Sequence, residues 1–365
     1  MPRNKTVVKN KTRPKASRIA ARSTLRSSGL VDLHFHGAYG IDLMTAGAAE
    51  LDELSRRLAL SGIAGFCPTT LSAPPAELEQ SVARLGAWIE SGSAAKSGGA
   101  RPLGIHLEGP FLHPDACGAH PPSCLRPLSL EELERLWKAS RGTIRIITLA
   151  PERLGKPELK ALCTWAQKRG IRLSLGHSHA TEAEAGHAFD AGFSGVTHAW
   201  NALPFHHRAP GPLGAALGRA GTHVELIIDR VHVSPDVIRW TLDLHPEGVC
   251  FVSDCAPAAG TSGGRWCSFG SLKTRFQDGA CRLEGGALAG GGLLLPEALR
   301  SWLSHEQATD RAGANRLFRS ALPCATLHPT KALGLSPSQA KSLLKPKLSW
   351  SWQPGGNWEL HVGVD

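Results

Sequence analysis

The 365-residue sequence has no apolar run approaching the roughly 20 residues that a membrane-spanning helix needs. It also lacks the apolar centre of a secretory signal near its first residue. These absences argue against a membrane-embedded or exported protein. Nine cysteines are scattered without a CxxC pair, so they read as separate thiols and not as a disulfide framework, which points to a reducing cytoplasm. No GxGxxG comes after the first strand-like run, against a dinucleotide-binding open sheet. The glycine-rich stretches "TSGGRWCSFGSL" and "GGALAGGGLLL" lack the lysine of a phosphate-binding P-loop and read as turns and close packing.

Acidic residues are missing from positions 1–28, which hold nine Lys or Arg, although the whole chain carries a formal charge of +10. The remainder is nearly balanced, with 32 basic and 31 acidic residues. The charge therefore belongs to a tail. A segment so poor in apolar surface reads as a disordered, solvated arm, with loose contact to nucleic acid or an anionic surface as the alternative.

Past residue 28 the chain is regular. Apolar runs at 30–37, 64–71, 102–109, 143–151, 171–178, 194–200, 224–233 and 248–256 alternate with helical patterns such as "PAELEQSVARLGAWIESG" and "SLEELERLWKASRG". Eight βα repeats predict an α/β fold of the (β/α)8 TIM-barrel kind, about 250 residues in its usual form. The polar residues fall at the C-terminal ends of these runs: His34 and His36 on the first, Glu108 on the third, His177 on the fifth, His198 on the sixth, His232 on the seventh and Asp254 on the eighth. In a barrel those ends meet on one face, where catalytic groups of this architecture sit.

His34 and His36 are two apart on a strand and so share a face. With Glu108, His177, His198 and Asp254 they make a nitrogen and oxygen donor set without thiolate, suited to zinc, iron(II), manganese or cobalt. Such an ion promotes hydrolysis by polarising a carbonyl and acidifying water, and Asp254 is placed to shuttle the proton.

The segments "GIHLEGPFL", "GAHPP", "TLAPE", "LSLGHSHAT", "THAWNALP", "RAPGPLGA", "DRVHV", "VSDCAPAAG" and "LAGG" occur in this order, and over about residues 30–335 the chain resembles the N-acetylglucosamine-6-phosphate deacetylase family of the amidohydrolase superfamily. The resemblance implies a metal-dependent amidohydrolase barrel over 29–335 with a reduced accessory β-sandwich, and in the C-terminal segment, 336–365, "LSWSWQPGGNWELHVGV" reads as a small hairpin around PGG. It implies hydrolysis of N-acetylglucosamine 6-phosphate in amino-sugar catabolism.

By resemblance, Glu108, His177 and His198 hold the main metal and Asp254 is the general base and acid. His34 and His36 match the HxH of relatives that take a second ion, so one or two ions are expected. His120, Asn201 and Ala202 match substrate-contact positions, Arg208 matches a phosphate-binding arginine, and His232 matches the histidine at the substrate amide or its oxyanion. His206, His207, His179 and His187 are read as solvent-facing. The implied ligand is a small amino-sugar phosphate and the implied assembly a homodimer. Two alternatives stay open: an amidohydrolase for another N-acyl amino sugar phosphate or a cyclic amide, and an inactive scaffold.

Overall fold

The structure, a computed structural model, describes residues 23–353 and 355–363. Strand β1 (Ser23–Ser28) precedes a series of strand and helix pairs. These are β2 (Leu30–Phe35) with α1 (Ala48–Ser61), β3 (Ile63–Pro68) with α2 (Pro75–Ser91), β4 (Ile105–Glu108) with α3 (Leu130–Ala139), and β5 (Ile144–Leu149) with α4 (Lys156–Arg169). The series continues through β6 (Arg172–Leu175) and α5 (Glu182–Ala191), β7 (Gly195–Val196) and α6 (Gly211–Leu217), and β8 (His223–Ile227) and α7 (Pro235–Leu244). It ends with β9 (Val249–Val252) and, after an insertion, α8 (Leu295–His305).

The sequence builds these elements for recognisable reasons. β2 and β9 are buried at every position, as strands covered on both faces must be, so they read as continuous apolar runs. Ser129, Thr181 and Ser234 cap α3, α5 and α7 by accepting hydrogen bonds from backbone N–H groups of the first turn. α1 and α4 end at Gly62 and Gly170, both left-handed, a conformation that costs a glycine little.

All neighbours within the series run parallel. One sheet joins β4 to β9 in order, and another joins β2 to β3. Bridges Thr69–His106 and Phe35–Cys255 link the two sheets at both margins, so each strand from β2 to β9 has a neighbour on either side. The loops after the strands therefore gather at one end.

Two antiparallel units lie outside this set. Between β9 and α8, strands β10 (Trp266–Phe269), β11 (Leu272–Gln277), β12 (Ala280–Arg282) and β13 (Leu288–Gly291) form a meander. The glycine-rich stretches that the sequence suggests are turns thus supply β10 and β13, because short strands with polar outer faces carry little apolar signal.

Helices α9 (Arg311–Ala321), α10 (Leu327–Ala332) and α11 (Pro337–Leu343) lead to β14 (Pro346–Trp352) and β15 (Trp358–Val362), and β14 pairs with β1 as well as with β15. Residues 23–28, assigned from sequence to the basic tail, are therefore an ordered strand. Trp350 donates to Ser27 Oγ at 2.9 Å, and Phe318 of α9 lies 5.5 Å from the rings of both Trp350 and Trp358. This apolar cover gives the strand the partner that its composition hides. The rest of the expected tail, residues 1–22, lies outside the described residues.

Candidate active site

The gathered strand ends form a cavity of about 200 Å³ lined by His36, Glu108, His120, His177, His198, Asn201, Ala202, His232 and Asp254. Several of these residues are held in unusual backbone states. His177, His198, Ala202 and Asp254 have φ of +47°, +30°, +52° and +51°, a left-handed region that non-glycine residues occupy at a cost and that concentrates at functional sites. The strands deliver these side chains by turning sharply just past their last paired residue.

Glu108 is the centre of the cluster. Its Oε1 lies 3.0 Å from His198 Nε2, 3.3 Å from His177 Nε2 and 3.4 Å from His34 Nε2. Its Oε2 lies 3.1 Å from His120 Nε2 and 3.3 Å from His36 Nε2. Asp254 Oδ1 stands 3.4 Å from His34 Nε2 and 3.3 Å from His36 Nε2. The cluster contains two donor groups, His34/His36/Glu108 and Glu108/His177/His198, in each of which the donor atoms lie within 4.8 Å of one another. They share Glu108.

The tautomers test whether these groups suit a cation. His177 Nδ1 donates to the Ala116 carbonyl at 2.7 Å, and a carbonyl only accepts, so a neutral His177 turns its Nε2 lone pair inward. His34 Nδ1 lies 3.0 Å from the Glu225 carboxylate, which gives the same result. Outer partners of this kind fix and strengthen metal-binding imidazoles. The donor set fits a divalent ion. His120 is different: the Ser72 N–H donates to its Nδ1 at 3.1 Å, so its proton sits on Nε2 and points to Glu108.

The charges are set by the packing. Burial raises the Glu108 carboxyl, but the imidazoles of His34 and His120 outweigh it and hold the group well below the usual carboxylate range. Burial likewise raises Asp254, and His34 and His36 reverse the effect, so Asp254 is a carboxylate at all ordinary pH. Burial disfavours the His34 and His36 cations, yet Glu108 and Asp254 raise both above the ordinary histidine value. His120 is pushed by burial down to about 4 and is neutral. Burial opposes the His232 cation too, but Asp229 Oδ2 at 2.7 Å from its Nδ1 raises it.

Arg208 is not brought to the cavity. It is exposed, on a turn closed by the His206–Ala209 bridge, and does not line the cavity. His206, His207, His179 and His187 are also exposed. Glu225 and Asp229 escape the sequence reading. Their one signal is position: Glu225 lies in β8, and Asp229 stands three residues before His232. Phe269, Leu288 and Ala289 of the meander also line the cavity.

Parallel strands whose ends gather imidazoles and carboxylates into donor groups of metal-binding size are in keeping with a hydrolase of the amidohydrolase type. No family model matches the chain. The chain is 34% identical over 306 residues to the N-acetylgalactosamine-6-phosphate deacetylase of Escherichia coli, covering 84% of this chain and 77% of that relative. It is 33% identical to the N-acetylglucosamine-6-phosphate deacetylase of Bacillus subtilis, over 79% of this chain and 74% of the relative. A variant of the Mycobacterium smegmatis N-acetyl-D-glucosamine-6-phosphate deacetylase, solved with N-acetyl-D-glucosamine-6-phosphate, superposes with a TM-score of 0.77 at 28% identity, over 93% of this chain and 87% of that one. The chain belongs to the N-acetylglucosamine-6-phosphate deacetylase family. Among the described residues no helix is long and apolar enough to cross a membrane.

Proposed function

We propose that the protein hydrolyses the acetamide of N-acetylglucosamine 6-phosphate, giving glucosamine 6-phosphate and acetate. The observation that carries this reading is the convergence of His36, Glu108, His177, His198 and Asp254 on one cavity in a member of this family. Glu108, His177 and His198 would hold the main ion, and His34 and His36, with Glu108, would hold a second. Zinc or iron(II) fits these donors, and manganese or cobalt is accommodated by the same chemistry. A divalent ion bound there supplies a Lewis acid for the acetyl carbonyl and makes water a nucleophile near neutral pH.

The side chains do the rest. Asp254, ionised at working pH, takes a proton from the attacking water and returns it to the leaving nitrogen. His232, kept protonated by Asp229, donates to the oxygen on which negative charge develops. His120, Asn201 and Ala202 orient the sugar. Arg208 pairs with the phosphate through its planar fork, which requires the 203–210 turn to fold toward the cavity when substrate is held.

The strands β2 to β9 are read as a (β/α)8 barrel within a 29–335 domain, and the sheet of β1, β14 and β15 as a reduced accessory sandwich. The nine cysteines are free, in keeping with a cytoplasmic enzyme, and the family resemblance adds a homodimer. The galactosamine-derivative specificity in the name of the Escherichia coli relative favours one second reading, action on the C4 epimer.

Acetate release from the two phosphorylated N-acetylhexosamines and from plain N-acetylglucosamine tests both readings. Turnover of phosphorylated substrate alone is expected, and the preferred epimer decides the assignment. Absence of turnover by the metal-loaded protein on all three would refute the proposal.

A further inference from the structure

At the opposite end of the parallel strands the chain gathers positive charge. Arg145 is the second residue of β5 and Arg172 the first of β6. Arg101 begins a two-residue strand that pairs with β3. All three line one cavity of about 510 Å³, larger than the catalytic one, whose other walls include Gln167, Gln339 and the Leu333–Leu335 turn between α10 and α11. No carboxylate lines it.

Among the described residues the three guanidiniums enter no ion pair, although Arg126, Arg169 and Arg239 do so elsewhere. All three are exposed, and like charges gathered without a counter-charge repel and draw anions. The field reaches inward. His223, whose Nδ1 is buried without a partner, is pushed down to about 4 by burial and then by Arg172.

One backbone feature is shaped around this group. Gly334 has φ +66°, and a Cβ on it would lie 2.3 Å from Arg172 Nη2. A side chain at 334 would displace the guanidinium from the wall. The turn thus leaves Arg172 room to face the cavity.

We propose that this cavity is a second anion site, remote from the catalytic cavity, which takes a small molecule bearing two phosphate groups. Planar guanidiniums bind phosphate oxygens in pairs. Three of them around a cavity within the 300–1,000 Å³ usual for small-molecule sites suit a diphosphate better than a single phosphate. The shared chemistry has two sources, a nucleoside diphosphate or a bisphosphorylated sugar, and the site does not rest on the hydrolytic reading.

The test is calorimetric titration of the metal-loaded full chain with ADP and, separately, with fructose 1,6-bisphosphate, in the presence of glucosamine 6-phosphate to occupy the catalytic cavity. One equivalent of at least one probe is expected to bind, and the tighter probe names the source. The Arg145→Gln/Arg172→Gln variant should weaken binding at least about tenfold, as loss of charge-assisted hydrogen bonds does, with acetate release intact. If that variant folds poorly, Arg101→Gln, which lies outside β5 and β6, carries the same comparison. Failure of both probes to bind the unaltered protein, or equal binding by folded variants, overturns the proposal.

Discussion

Glu225 Oε2 lies 3.0 Å from His34 Nδ1 deep among the parallel strands, and thereby sets which nitrogen of His34 faces Glu108. Both residues are buried, so the imidazole has no water to exchange for this partner. Glu225→Gln keeps the shape but removes the charge that fixes the ring's proton. Metal affinity is expected to fall roughly 10–100-fold, the usual cost of losing an outer partner. Equilibrium dialysis against a metal buffer measures it, and unchanged affinity would show that the contact is only structural.

Asp254 offers the sharpest kinetic test. Its carboxylate is ionised and close to His34 and His36, and the left-handed backbone at this position aims it into the cavity. Asp254→Asn should lower kcat by about 10²–10⁴-fold, the range for a lost general acid or base, with substrate binding retained. Steady-state kinetics and titration with the intact substrate separate the two effects. Near-normal kcat would remove Asp254 from its assigned role.

The pair Asp229 and His232 predicts a pH dependence. The raised His232 pKa means that the donor is present at low pH and is lost as pH rises through the elevated value, which places it on the alkaline limb of kcat/KM. Asp229→Asn removes the raising charge, so that limb should move to lower pH. A pH–rate profile that keeps its alkaline limb in place would detach His232 from oxyanion stabilisation.

Arg208→Ala should raise KM for the phosphorylated sugar by roughly 10–100-fold, the worth of charge-assisted hydrogen bonds. Cleavage of the unphosphorylated sugar, where measurable, should not change. The comparison decides whether an arginine that stands exposed in the structure reaches the phosphate.

The alternation of strands and helices was legible because parallel buried strands carry unbroken apolar runs, and Glu108, His177, His198 and Asp254 were legible because polar groups end those runs. Glu225 was hidden for the same reason: a single acid in the strand portion of "VELIIDRVHV" has no periodicity of its own, and only the fold places it behind His34. β1 was masked by the basic residues beside it, since its stability comes from pairing with β14 across more than 300 residues of chain. The meander was missed because its glycines serve turns and strands alike. Exposure of Arg208 comes from a local turn that no pattern of residue types announces.

Asp32, also beyond the reach of pattern reading, supplies the last expectation. It is fully buried in β2, its Oδ1 accepts from the Ser253 N–H at 3.1 Å, and its Oδ2 has no hydrogen-bond partner. Burial is the main influence on its carboxyl, which is pushed up to about 7 from 3.8. An acid whose pKa is higher folded than unfolded holds its proton more tightly in the native state. Its contribution to stability is complete below about pH 4 and is lost as pH rises toward 7. Asp32→Asn keeps an oxygen for Ser253 and cannot ionise, so the variant should melt at a higher temperature than the unaltered chain at pH 8 and show a flatter dependence between pH 4 and 7. Calorimetric melts across that range check the prediction. A variant that melts lower at pH 8 would mean that the ionised carboxylate stabilises the seam between β2 and β9, and that the strand ends depend on its charge.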